Sequence, residues 1–127
     1  MEHFMAIIDE LFNISGKRVV ITGGTGGIGA GLVSGFLAAG TQVVVSARNE
    51  ESAAQARATY SGSTNVRFIE ADLMSDESIQ KFVSQANETL GGIDVLIQAH
   101  GNVFPGPATQ MSLETWHEQI QVNLTAT

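Results

Sequence analysis

The stretch KRVVITGGTGGIGAGLVSGFLAAG, residues 17–40, decides the fold. Arg18 to Thr22 is short and mostly β-branched and apolar, the composition of a strand buried on both faces. A glycine-rich turn follows. Ile28, Leu32, Val33, Phe36 and Leu37 then recur at helical spacing, which predicts a helix with one apolar face, and Gly40 stands where a left-handed C-terminal cap is wanted. Gly31 and Gly35 fall inside that helix, where each costs about 1 kcal/mol relative to alanine, and close packing on the sheet is the expected account of them.

Outward from this unit the same alternation repeats. Further strands are predicted at Gln42 to Ser46, Val66 to Glu70 and Asp94 to Gln98. A second helix, Asn49 to Tyr60, is rich in alanine and carries Glu50 and Glu51 in its first turn, where the helix dipole favours them. A third starts at Ser75 with Asp76 and Glu77 behind it, has an apolar stripe of Ile79, Phe82, Val83, Ala86 and Leu90, and stops at Gly91-Gly92. After a loop from Ala99 to Met111, Ser112 can cap a fourth helix whose stripe is Leu113, Trp116, Ile120 and Leu124.

This order predicts an α/β fold, a Rossmann-type doubly wound parallel sheet in the order 3-2-1-4 with helices on both faces, truncated after about four strands. Residues 1–127 read as a single, partial Rossmann domain with residues 1–15 as an N-terminal arm. The fourth helix meets no stop signal before Thr127, so the expectation is a piece of a longer chain, with Asp94 to Gln98 an interior strand left at an edge.

Thirteen acidic residues against six scattered basic ones, a net charge of −7, argue against nucleic acid and anionic membrane surfaces as partners. Without cysteine there is neither a disulfide framework nor a thiolate metal site; no metal is expected, and the cytoplasm is the default compartment. Met1 to Phe12 does not fit a signal peptide, and no apolar run approaches the roughly 20 residues needed to span a bilayer.

Within the turn, Gly24 to Gly29 satisfies G-x-G-x-x-G between a strand and a helix. Glycine is required there for positive φ, for close approach of backbone to a pyrophosphate and for tight helix-to-strand packing, while the helix N-terminus offers free N–H groups to phosphate. Thr22, Gly23, Thr25, Gly26, Gly27, Ile28 and Gly29 are therefore candidate contacts for a dinucleotide. About 20 residues further on, where an acid would hold a ribose 2′-hydroxyl, the chain has Ser46-Ala47-Arg48. Ala47 offers no acceptor, whereas Arg48 can pair with a 2′-phosphate, so NADP(H) is the preferred cofactor and NAD(H) a possible one; the alternative for Arg48 is a solvated residue ahead of a helix.

At these residues the chain resembles the short-chain dehydrogenase/reductase family, whose Thr-Gly-x-x-x-Gly-x-Gly motif matches Thr22, Gly23, Gly27 and Gly29. The resemblance implies that Asp72-Leu73 contacts adenine; alternatively Asp72 is a loop carboxylate capping the next helix. Gln98-Ala99-His100-Gly101 stands where the family has Asn-Asn-Ala-Gly, keeping only the Gly, and His100 is either a structural residue beside a strand end or a group facing the nicotinamide. Asn123 takes the position of the family's active-site asparagine, which anchors a water in a proton relay, and its spacing puts it on or beside the buried stripe, where its amide must be hydrogen-bonded.

The activity so implied is carbonyl reduction or alcohol oxidation by hydride transfer on a small molecule, in an NADP(H)-dependent oxidoreductase that is a homo-oligomer at full length. The general acid/base Tyr, the Lys four residues after it and the Ser have no counterpart here, since the only tyrosine is Tyr60 with Thr64 where Lys is needed. The chain is thus expected to be the cofactor-binding half and inactive alone. The alternative is a non-catalytic dinucleotide-binding or subunit-docking module that uses its fourth strand as a docking edge.

Overall fold

Val19, Val20 and Ile21 are no more than 2% exposed, so the strand that carries them is covered on both faces, as its sequence requires. The computed structural model describes residues 10–127; the first nine residues of the arm expected over residues 1–15 lie outside the described part. The elements are β1 (Arg18–Thr22), α1 (Gly27–Ala38), β2 (Gln42–Ala47), α2 (Glu50–Thr59), β3 (Val66–Glu70), α3 (Asp76–Leu90), β4 (Val95–Gln98), a 3₁₀ turn (Ala108–Gln110), α4 (Leu113–Ile120) and a π-helical turn (Gln121–Thr125). All strand pairs are parallel and the sheet order is β3-β2-β1-β4, as expected.

The pleat divides the core in two. Val19, Ile21, Val43 and Val45 pack with Val33 of α1 and Ala53 and Ala56 of α2. Val20 and Val44, pointing the other way, pack with Phe82 and Ala86 of α3. The helix ends form where the sequence puts polar caps: Asn49 and Ser52 make a reciprocal capping box, Ser75 accepts from the Ser78 N–H and Ser112 from the Thr115 N–H. Gly40 and Gly91 take φ of 79° and 69° to end α1 and α3.

Three expectations need correction. Ile28 is 84% exposed, because it lies in the first turn of α1, at the edge of the sheet rather than over it. Gly31 and Gly35 do not pack on the sheet; both are exposed, and an added methyl group at either would meet nothing within 4 Å. They sit two positions either side of buried Val33, about 200° around the helix from it. The stripe of α4 is not buried either: Leu113, Trp116 and Leu124 are more than half exposed, since among the described residues no element covers them. Leu96 of β4 shares this condition, pairing with Val20 on the face of α3 yet 57% exposed, beyond that helix's reach.

β4 is nonetheless fixed at its start. Asp94, just ahead of the strand, accepts from the Arg18 backbone N–H and Nε on Oδ2 (2.9 Å each) and from Arg18 Nη2 on Oδ1 (2.7 Å). Arg18 Nη1 donates to the Gly91 carbonyl at 2.6 Å, which ties in the end of α3. A side chain at Gly92, whose φ is 135°, would collide with this guanidinium. The Arg18 side chain, then its backbone N–H, hold the Asp94 carboxyl well below the ordinary carboxylate range. The folded state therefore favours the charged form, giving stability that is complete above the unfolded pKa of about 3.9 and is lost as pH falls below it. Thermal melts from pH 6 to pH 2.5 should show Asp94→Asn melting below the unsubstituted protein at pH 6, the gap closing below about pH 4; a gap independent of pH would contradict this linkage.

Candidate functional site

At the carboxyl ends of the strands the chain leaves β1 toward β2 on one side and returns to β4 on the other, the switch point where open α/β sheets bind ligands. A cleft of 670 Å³ opens there, with the turn residues Gly23, Thr25 and Gly26 along its floor, Ser46 and Arg48 at the end of β2, Asp72 and Leu73 after β3, and Ala99, His100 and Gly101 after β4. The structure thus brings most of the sequence-selected residues to one place.

The turn is built by exclusion. Gly23 has φ of 72°, and a Cβ there would stand 2.6 Å from the His100 backbone N and Cα. A Cβ on Gly29 would overlap the carbonyl oxygen of Gly23, so strand end and helix start cross with no room for a side chain. Gly24 is closed in by Val45 and Val33 on the core side. Gly26 and Gly27 differ, facing open space. Gly26 is the N-cap of α1 but has no side chain to cap with, and the first turn holds no acid. Amide N–H groups at this end therefore remain available, with the positive end of the dipole, to an anion.

Thr22 and Gln98 stand behind the cleft rather than in it. Thr22 is buried, its carbonyl accepts the Ala99 N–H at 3.0 Å, and its hydroxyl is 2.6 Å from His100 Nδ1. Gln98, its partner across the ladder, is exposed. His100 Nε2 is buried without a hydrogen-bond partner among the described residues. Ser46 is buried and accepts the Gly23 N–H at 3.2 Å, so β2 braces the turn. Arg48 is exposed and, among the described residues, has no carboxylate within 4 Å. Asp72 accepts the Met74 N–H at 2.9 Å and so shapes the turn into α3, whose N-cap is Ser75; Leu73 is half-buried on the α3 side of the core.

Asn123 does not line the cleft and is exposed, contrary to its expected place beside a buried stripe, because that stripe is itself uncovered. Its amide is hydrogen-bonded all the same, to both backbone groups of Asn102, and it sits in the π-helical turn that breaks the regular helix. Sequence reasoning passed over Asn102, Glu118 and Val122, which line the far wall. Asn49 and Ser52 also reach the cleft, although spacing marked Asn49 only as a helix start.

A family model described as short chain dehydrogenase matches residues 17–127. The chain belongs to this family. It is 31% identical over 115 residues to a 3beta-hydroxysteroid dehydrogenase of Eggerthella lenta, covering 89% of this chain and 44% of that protein. A 2,5-dichloro-2,5-cyclohexadiene-1,4-diol dehydrogenase of Sphingobium indicum is 33% identical over 117 residues, with 89% and 46% covered. Among solved structures, an RhlG/NADP active-site complex from Pseudomonas aeruginosa is 27% identical with a TM-score of 0.82, the match covering 91% of this chain and 45% of that one. The chain spans about half the length of the relatives it matches.

The glycine positions of this family member differ sharply in what a methyl group would do. Gly29→Ala forces backbone apart and should lower stability by at least about 3 kcal/mol, while Gly31→Ala replaces a solvent-facing helical glycine and should raise it by about 0.5–1 kcal/mol. Urea denaturation midpoints measure both; an unchanged midpoint for Gly29→Ala would contradict the crossing.

Proposed function

We propose that the chain carries the cofactor-binding half of an NADP(H)-dependent oxidoreductase that interconverts a carbonyl and an alcohol on a small molecule. The observation that carries this reading is the placing of Arg48, which has no carboxylate partner among the described residues, in one cleft with the uncapped first turn of α1. A pyrophosphate suits the turn, because Gly26 and Gly27 leave space where any side chain would stand, and a 2′-phosphate suits a guanidinium that has no carboxylate partner among the described residues. The match to a family member described as an NADP complex supports a nicotinamide dinucleotide as the ligand, and Arg48 carries the choice of phosphate form. When bound, the dinucleotide supplies or accepts the hydride.

The chain's own residues then have separate tasks. The amides around Thr25, Gly26, Gly27 and Ile28 hold the phosphates, with Gly23 and Gly29 giving the turn its close approach. Arg48 and Ser46 take the ribose end, Leu73 and Asp72 flank the adenine, and Gln98 to Gly101 border the nicotinamide, with Thr22 bracing Ala99 and His100 from behind. Asn123 serves the active site. A tyrosine acting as general acid/base comes from outside these residues: Tyr60 is the only one present, and its hydroxyl is engaged with the Ala30 carbonyl at 3.1 Å and Ser34 at 3.0 Å, away from the cleft. In the full-length enzyme, a homo-oligomer by its family resemblance, further elements of the same chain would pair the edge of β4 and cover the exposed stripe of α4.

Fluorescence titration of the full-length protein with NADPH and NADH tests the cofactor assignment. NADPH should bind more tightly, and Arg48→Ala should weaken it about 10- to 100-fold, the loss of one or two charge-assisted hydrogen bonds, leaving NADH within about twofold. Equal affinity of the unsubstituted protein for both would overturn the role of Arg48.

A further inference from the structure

We propose that Asn102 is a positioning residue: it latches α4 and the π-helical turn to the end of β4, and so fixes Asn123 and the far wall of the cleft. This rests on the reading of the cleft as the dinucleotide site. All four polar groups of Asn102 are engaged, and every partner lies on the segment 118–123. Its N–H donates to Asn123 Oδ1 and its carbonyl accepts from Asn123 Nδ2, both at 3.0 Å, a two-point contact that sets which way the Asn123 amide faces. Its side-chain Oδ1 accepts from Gln119 Nε2 at 2.9 Å and its Nδ2 donates to Glu118 Oε1 at 3.2 Å.

The latch matters because nothing else holds this segment by burial. α4 and the π-helical turn contain no buried residue, so packing cannot set their place on the sheet. The backbone pair would survive any substitution at position 102 except proline, whereas the anchorage to Gln119 and Glu118 belongs to the side chain. That anchorage needs an acceptor and a donor on one short planar group, the property of a carboxamide. Asn102, Glu118 and Val122 themselves line the cleft, so a loosened latch moves its wall as well as Asn123.

Amide-proton exchange of the Asn123 side chain, read by NMR on full-length protein labelled with ¹⁵N-asparagine, tests this with NADPH affinity measured in parallel. Asn102→Ala should speed that exchange at least about tenfold and, because Asn102 lines the cleft, weaken NADPH binding about two- to tenfold. Asn102→Asp, which sets a second carboxylate against Glu118, should do the same; adding Glu118→Gln reverses donor and acceptor and should restore protection. Unchanged exchange in Asn102→Ala, or failure of the paired substitution to restore it, would overturn the latch. Absence of NADPH binding by the unsubstituted protein would instead overturn the cofactor reading, with the latch still judged by exchange.

Discussion

The site depends on one steric constraint: at the end of β1 two stretches of backbone meet where no side chain fits. Gly29 lies against the carbonyl of Gly23, and Gly23 lies against the backbone of His100. The first contact sets how α1 leaves the strand, and the second sets how near the end of β4 comes. Once both are made, the first turn of α1 and the loop after β4 face each other across the cleft, and Ser46 closes the third side by accepting the Gly23 N–H. On the proposed reading, phosphate affinity in this arrangement would come from backbone amides and a helix dipole rather than from a charged side chain.

β4 needs separate support, because its outer edge is unpaired in the described residues and half its apolar face is bare. Polar contacts supply it at both ends. Arg18 and Asp94 lock the start of the strand to β1, and the Thr22 carbonyl and hydroxyl hold Ala99 and His100 past its end. His100 Nε2 is left buried without a hydrogen-bond partner among the described residues. Asn102 carries the same logic outward, replacing apolar packing by hydrogen bonds where α4 has no cover.

The fold was legible from the sequence because its signals are local. Short β-branched runs, helix caps at Asn49, Ser75 and Ser112, and glycines at 40 and 91 each act within a few residues, and their alternation determines a parallel sheet. Periodicity failed where burial depends on what lies opposite. Ile28 shares a face with Leu32 but overhangs the sheet, the stripe of α4 faces no described element, and Gly31 and Gly35 look away from the strands they were expected to touch. For the candidate site, spacing located the glycine turn and Arg48, since both follow a strand directly. The pairing of Arg18 with Asp94, the Thr22–His100 contact and the Asn102 network join residues between 16 and 78 positions apart, and no local pattern announces them.

The central claim is that this turn holds the phosphates of a nicotinamide dinucleotide. A crystal structure of the full-length protein grown with NADPH tests it most directly. The account predicts the pyrophosphate against the backbone amides between Thr25 and Gly29, with the adenosine end at Arg48. A dinucleotide bound elsewhere, with the glycine turn free of phosphate, would contradict it.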